Sequence, residues 1–175
     1  MLESGLKFDK AMWMVGSYAR LEWVIEHRNL ISNEELYKLL PDIWRGSDPD
    51  DTDPRFLELW LEAWNYNKRN TIIDNKPLPP DKFLQIYRGQ DENDAIVGIA
   101  WSLNKYVALN FARGAALRQA DRPGIVYTAN IKSEQVIAYL TGRNEDEIIV
   151  NPKYVSYTKD NWLTPQDIWT RIKKD

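Results

Sequence analysis

Residues 76–82, Lys-Pro-Leu-Pro-Pro-Asp-Lys, divide the chain into two parts that cannot share one secondary-structure period. Proline has no backbone N–H and a fixed φ, so three prolines in seven positions fit neither a helix interior nor a central strand. Before this break the apolar spacing is helical. Leu21, Val24 and Ile25 recur at helical intervals. Asn33, Glu34 and Glu35 open a second helix through Leu36, Leu39 and Leu40, which Pro41 is expected to stop. Asp53 followed by Pro54 is a cap with proline at the first helical position. The helix it starts gathers Phe56, Leu57, Trp60, Leu61 and Trp64 on one face, with Lys68 and Arg69 at its basic end. Beyond the break the runs are short and β-like: 83–89 ending in a glycine turn, 95–103, 124–131, 135–142, 145–150 and 153–158. One helix over 104–120 interrupts them, with Val107, Ala108 and Phe111 expected on its inner face. The predicted class is α+β, a helical N-terminal lobe (residues 1–75) packed on a β-rich core (residues 76–175) as one compact unit.

The 175 residues carry 23 Lys+Arg against 26 Asp+Glu, a net charge of -3, which gives no electrostatic reason to wrap nucleic acid. No apolar run is long enough to span a bilayer, and no secretory leader is legible at the start. With no cysteine, disulfides and thiolate chemistry are excluded. With His27 as the single histidine, so is a multi-histidine metal site, and no metal is expected. Carboxylate, arginine, hydroxyl and aromatic chemistry remain.

Several clusters read as ordinary surface or core. The acidic stretch Asp48, Asp50, Asp51, Asp53 fails as a calcium loop, since the sixth place from Asp48 is Asp53 and the twelfth is Leu59; it reads as a solvated, helix-capping loop. His27 sits near a helix end as a surface or dipole-compensating group. Arg113, Arg118 and Arg122 read as solvent-exposed charges. Trp60 and Trp64 read as core.

Three short features of the second half carry chemistry. Arg88 ends a strand in Tyr-Arg-Gly, where Gly89 lets a ligand approach the backbone. Ser102 ends the next strand just before a helix. Glu145 and Glu147 stand two apart at the head of an apolar strand, and a period of two sends both carboxylates to one face. Alone, the glutamate pair also fits a solvent-facing strand edge.

Taken in order, Tyr87-Arg88-Gly89, Trp101-Ser102-Leu103-Asn104 with Ala108 and Phe111-Ala112, and Glu145-Asp146-Glu147-Ile148-Ile149-Val150 resemble the R-S-E class of the ADP-ribosyltransferase superfamily, of bacterial-toxin or phage type. The resemblance spans about residues 80–158. It departs from the family at Leu103 and Asn104, where Ser-Thr-Ser is usual, and in a short interval between Arg88 and Ser102.

The resemblance implies two antiparallel sheets with an NAD cleft between them, and a mono-ADP-ribosyltransferase releasing nicotinamide. Arg88 would bind a phosphate, Gly89 the carboxamide, and Phe111 and Tyr106 the nicotinamide ring. Ser102 would hydrogen-bond Glu147, with Asn104 as a further hydrogen-bonding partner. Glu147 would bind the ribose and stabilise its developing charge, and Glu145 would select an arginine acceptor on a target protein. NAD is the implied co-substrate, the cytoplasm of a bacterial cell (its own or a host's) the implied compartment, and a membrane partner is not expected. An NAD glycohydrolase, or a transferase acting on a nucleic acid or small molecule, is the enzymatic alternative. A non-enzymatic interaction module with Arg, Ser and Glu in a buried polar network is the other.

Overall fold

A computed structural model describes residues 8–47, 49–91, 97–118 and 124–159. Asp48, Arg122, residues 95–96 of the expected second strand and the stretch beyond Lys159 lie outside the described residues. The helices are α1 (Phe8–Trp13), α2 (Arg20–Glu26), α3 (Asn33–Arg45), α4 (Pro54–Tyr66) and α5 (Lys105–Arg118). The strands are β1 (Ile72–Ile73), β2 (Phe83–Asp91), β3 (Ala100–Ser102), β4 (Gly124–Lys132), β5 (Val136–Leu140), β6 (Glu147–Val150) and β7 (Tyr157–Lys159). The chain is α+β. None of the described helices is long and apolar enough to cross a membrane.

Local signals set the helix starts. Ser32 and Glu35 form a reciprocal capping box at α3, and Asp53 accepts from Arg55 N at α4 with Pro54 at the first position. Pro41 does not stop α3. The helix runs on to Arg45 with Pro41 buried inside it. Burial of Leu36, Leu40, Ile43 and Trp44 on one face outweighs the hydrogen bond that proline forfeits. Lys68 and Arg69 fall beyond the end of α4, in left-handed backbone with φ of 54° and 61°.

The strands form one seven-stranded mixed sheet, order β1-β5-β6-β3-β2-β4-β7, where the resemblance implied two separate antiparallel sheets. Two features account for the difference. β1 joins β5 in parallel, with Ile72 opposite Ala138, which attaches the helical lobe's last segment to the sheet. β2 and β3 meet at a single pair, Tyr87 opposite Ser102, and this narrow junction makes the two halves continuous.

One core spans that junction: Leu84 and Ile86 of β2 and Ala129 and Ile131 of β4 join Val136, Tyr139, Ile148 and Val150 of β5 and β6, with Trp101 of the intervening β3 between them. The opposite face of β5 and β6 presents Ile137, Ala138, Leu140 and Ile149 to the lobe residues Leu40, Ile43, Trp44, Trp60 and Trp64. Strands β5 and β6 are thus covered on both faces and read as continuous apolar runs. A bulge between Val136 and Ala138 lets the consecutive residues Ile137 and Ala138 both serve the core shared with the lobe.

Helix α5 lies over β2 and β4, joining Ala108 and Ala112 to Val126 and Tyr87. Strand β2 does not turn at Gly89 but continues to Asp91. A Cβ at Gly89 would overlap the carbonyl of Ala108, so this glycine is required by the close approach of the α5 backbone.

Candidate functional site

Register places three side chains in a row. Tyr87 pairs with Ser102 across β2 and β3, and Ser102 pairs with Glu147 across β3 and β6. Directly opposed residues share a sheet face, so all three project toward the side that carries the helical lobe and α5. This row is the floor of an open cleft of about 180 Å³. Trp44, Pro49 and Asp51 form the lobe wall, Ala108 and Phe111 the α5 wall, and Arg143, Glu145 and Glu147 the end. The cleft lies between lobe and helix over the junction of the sheet halves.

Glu147 is 8% exposed and held by a donor from the lobe: Trp44 Nε1 donates to its Oε1 at 2.9 Å. Burial pushes the Glu147 carboxyl up to about 6, partly offset by the Trp44 hydrogen bond and the charge of Arg143. Ser102 does not hydrogen-bond the Glu147 carboxylate. Its Oγ donates to the backbone carbonyl of Glu145 at 2.5 Å and accepts from Asn104 N at 2.8 Å, tying the acidic turn to the start of α5.

The two glutamates are not two residues of one strand. Strand β6 begins at Glu147, and Asp146 has φ 45°, which breaks the period of two. That turn is nonetheless held firmly. Tyr139 Oη donates to Asp146 Oδ1 at 3.0 Å, and Leu103 N donates to the Asp146 carbonyl at 3.0 Å. Burial and the carboxylate acceptor together push the Tyr139 phenol up to about 12, so it remains a donor. The carboxylates converge through Arg143, whose Nε lies 3.0 Å from Glu145 Oε2 and whose Nη2 lies 3.6 Å from Glu147 Oε2.

Arg88 sits where β2 and β3 part. Its Nη1 donates to the carbonyl of Ala100 at 2.7 Å and to Asp51 Oδ2 at 2.5 Å, its Nη2 to Asp51 Oδ1 at 3.0 Å, and its Nε to Gln90 Oε1 at 2.7 Å. These contacts engage four of the five N–H groups of a guanidinium. Asp51 also accepts from Ala100 N at 2.9 Å, and its carbonyl accepts from Ile99 N. The acidic loop is therefore not merely solvated: Asp53 caps α4, while Asp51 reaches into the cleft.

The remaining expected ligands separate. Phe111, although 52% exposed rather than inward-facing, stands at the cleft edge. Gly89 lines the cleft. Tyr106 is 68% exposed and does not line the cleft, and Asn104 Oδ1 accepts from Tyr106 N, so it caps α5. Sequence reasoning missed Trp44, Asp51 and Arg143. Trp44 carried only the pattern of a core residue on a helix, and Asp51 only that of a turn. Arg143 had one available signal, a cation two and four residues from two carboxylates. Among the described residues no group of three or more His, Asp or Glu is placed to hold a metal. No family model, no curated protein and no solved structure matches the chain.

Proposed function

We propose that the chain is an NAD-dependent mono-ADP-ribosyltransferase with an arginine acceptor. One observation carries the reading. A single cleft gathers Arg88, Gly89, Ser102, Phe111, Glu145 and Glu147, six of the eight residues to which the resemblance gives a role and which the sequence spreads over some 60 positions.

When bound, NAD supplies a ribosyl group on a good leaving group, nicotinamide. Each residue has a part its position supports. Glu147, nearly dry and held at Oε1 by Trp44, offers a fixed negative charge for positive charge developing on a ribose; a preorganised carboxylate in a poorly solvated site acts more strongly than one in water. Ser102 and Tyr139 act through the turn that carries the two glutamates. Phe111 offers an aromatic surface at the rim for a nicotinamide ring. Arg88 keeps one N–H of Nη2 for a phosphate oxygen and otherwise braces the cleft wall. The cleft is smaller than the ~300–1,000 Å³ of pockets that enclose a drug-sized ligand, so it suits the nicotinamide ribose end, with the adenosine end outside.

A second reading, NAD hydrolysis, is favoured by Arg143: its guanidinium stands against Glu145 and shields that carboxylate from an outside acceptor. Nicotinamide release from NAD tests both. Glu147→Gln is expected to lower it by ~100-fold or more. Glu145→Gln is expected to remove transfer to an arginine acceptor while hydrolysis continues. Full activity in Glu147→Gln would sink the assignment.

A further inference from the structure

The guanidinium of Arg143 stands where the proposed reaction needs an acceptor. Its Nε contacts Glu145, the carboxylate that would orient an arginine, and its Nη2 approaches Glu147, the carboxylate that would face the ribose. The loop joining β5 to β6 is shaped to place it there. Asn144 and Asp146 both adopt left-handed backbone, φ 57° and 45°, in residues that tolerate it, and the chain curls so that residue 143 overhangs residues 145 and 147. Asp74 anchors the loop's start, accepting from Thr141 N at 3.0 Å and Gly142 N at 3.0 Å; the Tyr139 and Leu103 contacts to Asp146 anchor its end. Arg143 Nη1 reaches the carbonyl of Arg45 at 3.5 Å, so Nη2 is the nitrogen turned to the cleft.

We infer that Arg143 is a modification site, the chain's own acceptor of ADP-ribose. The inference rests on the NAD-cleaving reading above. An arginine already fixed beside the reacting carboxylates has a large advantage over one that must arrive from solution, because its orientation is set before reaction. In the step, the bond between the ribose C1′ and the nicotinamide nitrogen breaks and its electron pair leaves with neutral nicotinamide. Nη2 of Arg143 bonds to C1′ while Glu145 holds the guanidinium through Nε, and the proton that Nη2 sheds passes to water. No oxidant or further co-reactant is needed.

The purified chain is incubated with NAD alone, and nicotinamide release, intact mass and peptide fragmentation are read together. The expected result is a gain of one ADP-ribose per chain, on the peptide containing Arg143, and its disappearance from that position in Arg143→Gln. Nicotinamide release with the chain mass unchanged, or with the addition elsewhere, overturns the inference and leaves the NAD-cleaving reading standing. No nicotinamide release from the wild-type chain, alone or with an arginine acceptor added, overturns that reading and the inference with it. A second measurement needs no NAD. The Nε–H of Arg143 is expected to exchange with solvent several-fold more slowly in the wild type than in Glu145→Gln. Equal exchange rates would mean that the guanidinium does not occupy the acceptor position.

Discussion

Trp44 and Glu147, 103 residues apart in the chain, meet through a buried hydrogen bond of 2.9 Å from the indole Nε1 to a carboxylate oxygen. Helix α3 brings the indole, the first residue of β6 brings the carboxylate, and the lobe thereby becomes part of the cleft. The tryptophan is itself fixed by edge contacts with Phe56 and Trp60, at ring-centroid distances of 6.2 and 5.7 Å.

Trp44→Phe keeps an aromatic ring and deletes the donor. Leaving a buried carboxylate short of a partner costs about 1–3 kcal/mol. Denaturant unfolding is expected to register that loss, and the acid limb of nicotinamide release to move to higher pH, because the carboxylate loses a group that favours its charged form. An unmoved acid limb would make Trp44 a packing residue only.

The pH dependence of stability has a definite sign at Glu147. Burial raises its folded-state value from 4.5 to about 6, so between these limits the folded chain binds more proton than the unfolded one. Stability contributed by this group is therefore present at low pH and falls as pH rises through that window, by about 2 kcal/mol at ~1.4 kcal/mol per unit. Unfolding free energies measured across the window should show this fall in the wild type relative to Glu147→Gln. If the proposed NAD-cleaving reaction uses this carboxylate, nicotinamide release should rise with pH through about 6. A wild-type profile parallel to that of Glu147→Gln would refute the assignment of the shift.

Asp51→Asn and Asp50→Asn separate two neighbours that the sequence presents alike. Asp51 bridges Arg88 and the backbone N–H of Ala100, whereas Asp50 accepts from Thr52 within its own exposed turn. Losing a charge-assisted, partly buried pair is expected to cost about 1.5–3 kcal/mol, and the exposed change about 0.5 kcal/mol. Equal unfolding midpoints for the two variants would show that the Arg88 pair adds no stability.

Gly89→Ala tests the approach of α5 to β2. The added methyl meets the Ala108 carbonyl, so helix and strand must separate, at about 1–3 kcal/mol or more. Because Ala108 and Phe111 ride on the same helix as one wall of the cleft, the proposed NAD binding, measured by titration, should weaken as well. Wild-type stability and affinity together would show that α5 yields without cost.

Local order was legible in the sequence because short-range physics decides it. The Asp53 cap with Pro54, the apolar face of α4 and the β-branched runs of β4 and β5 each follow from residues within one or two turns of each other. The order of three short motifs singled out Arg88, Ser102, Glu145 and Glu147, and in the fold these four line one cleft, but their individual contacts were not legible. Ser102 was expected to hold Glu147, and the indole of Trp44 holds it instead. A rule that buried tryptophans seek partners would not have found this, since Trp60, Trp64 and Trp101 have none for their indole nitrogens among the described residues.

What the sequence determined by itself is the α+β class, the helical lobe followed by β-rich segments, and which side chains are available for chemistry. The tertiary structure alone decided that the strands join into one seven-stranded sheet, that Pro41 stays inside α3, and that Asp51, Trp44 and Arg143 enter the cleft. The physical reason is range. Caps and periodicity act over a few residues, whereas the Trp44–Glu147, Asp51–Arg88 and Tyr87–Ser102–Glu147 contacts exist only after β3 and β6 have paired and the lobe has docked on them. A left-handed residue such as Asp146 then redirects a side chain that the period of a strand alone would have aimed elsewhere.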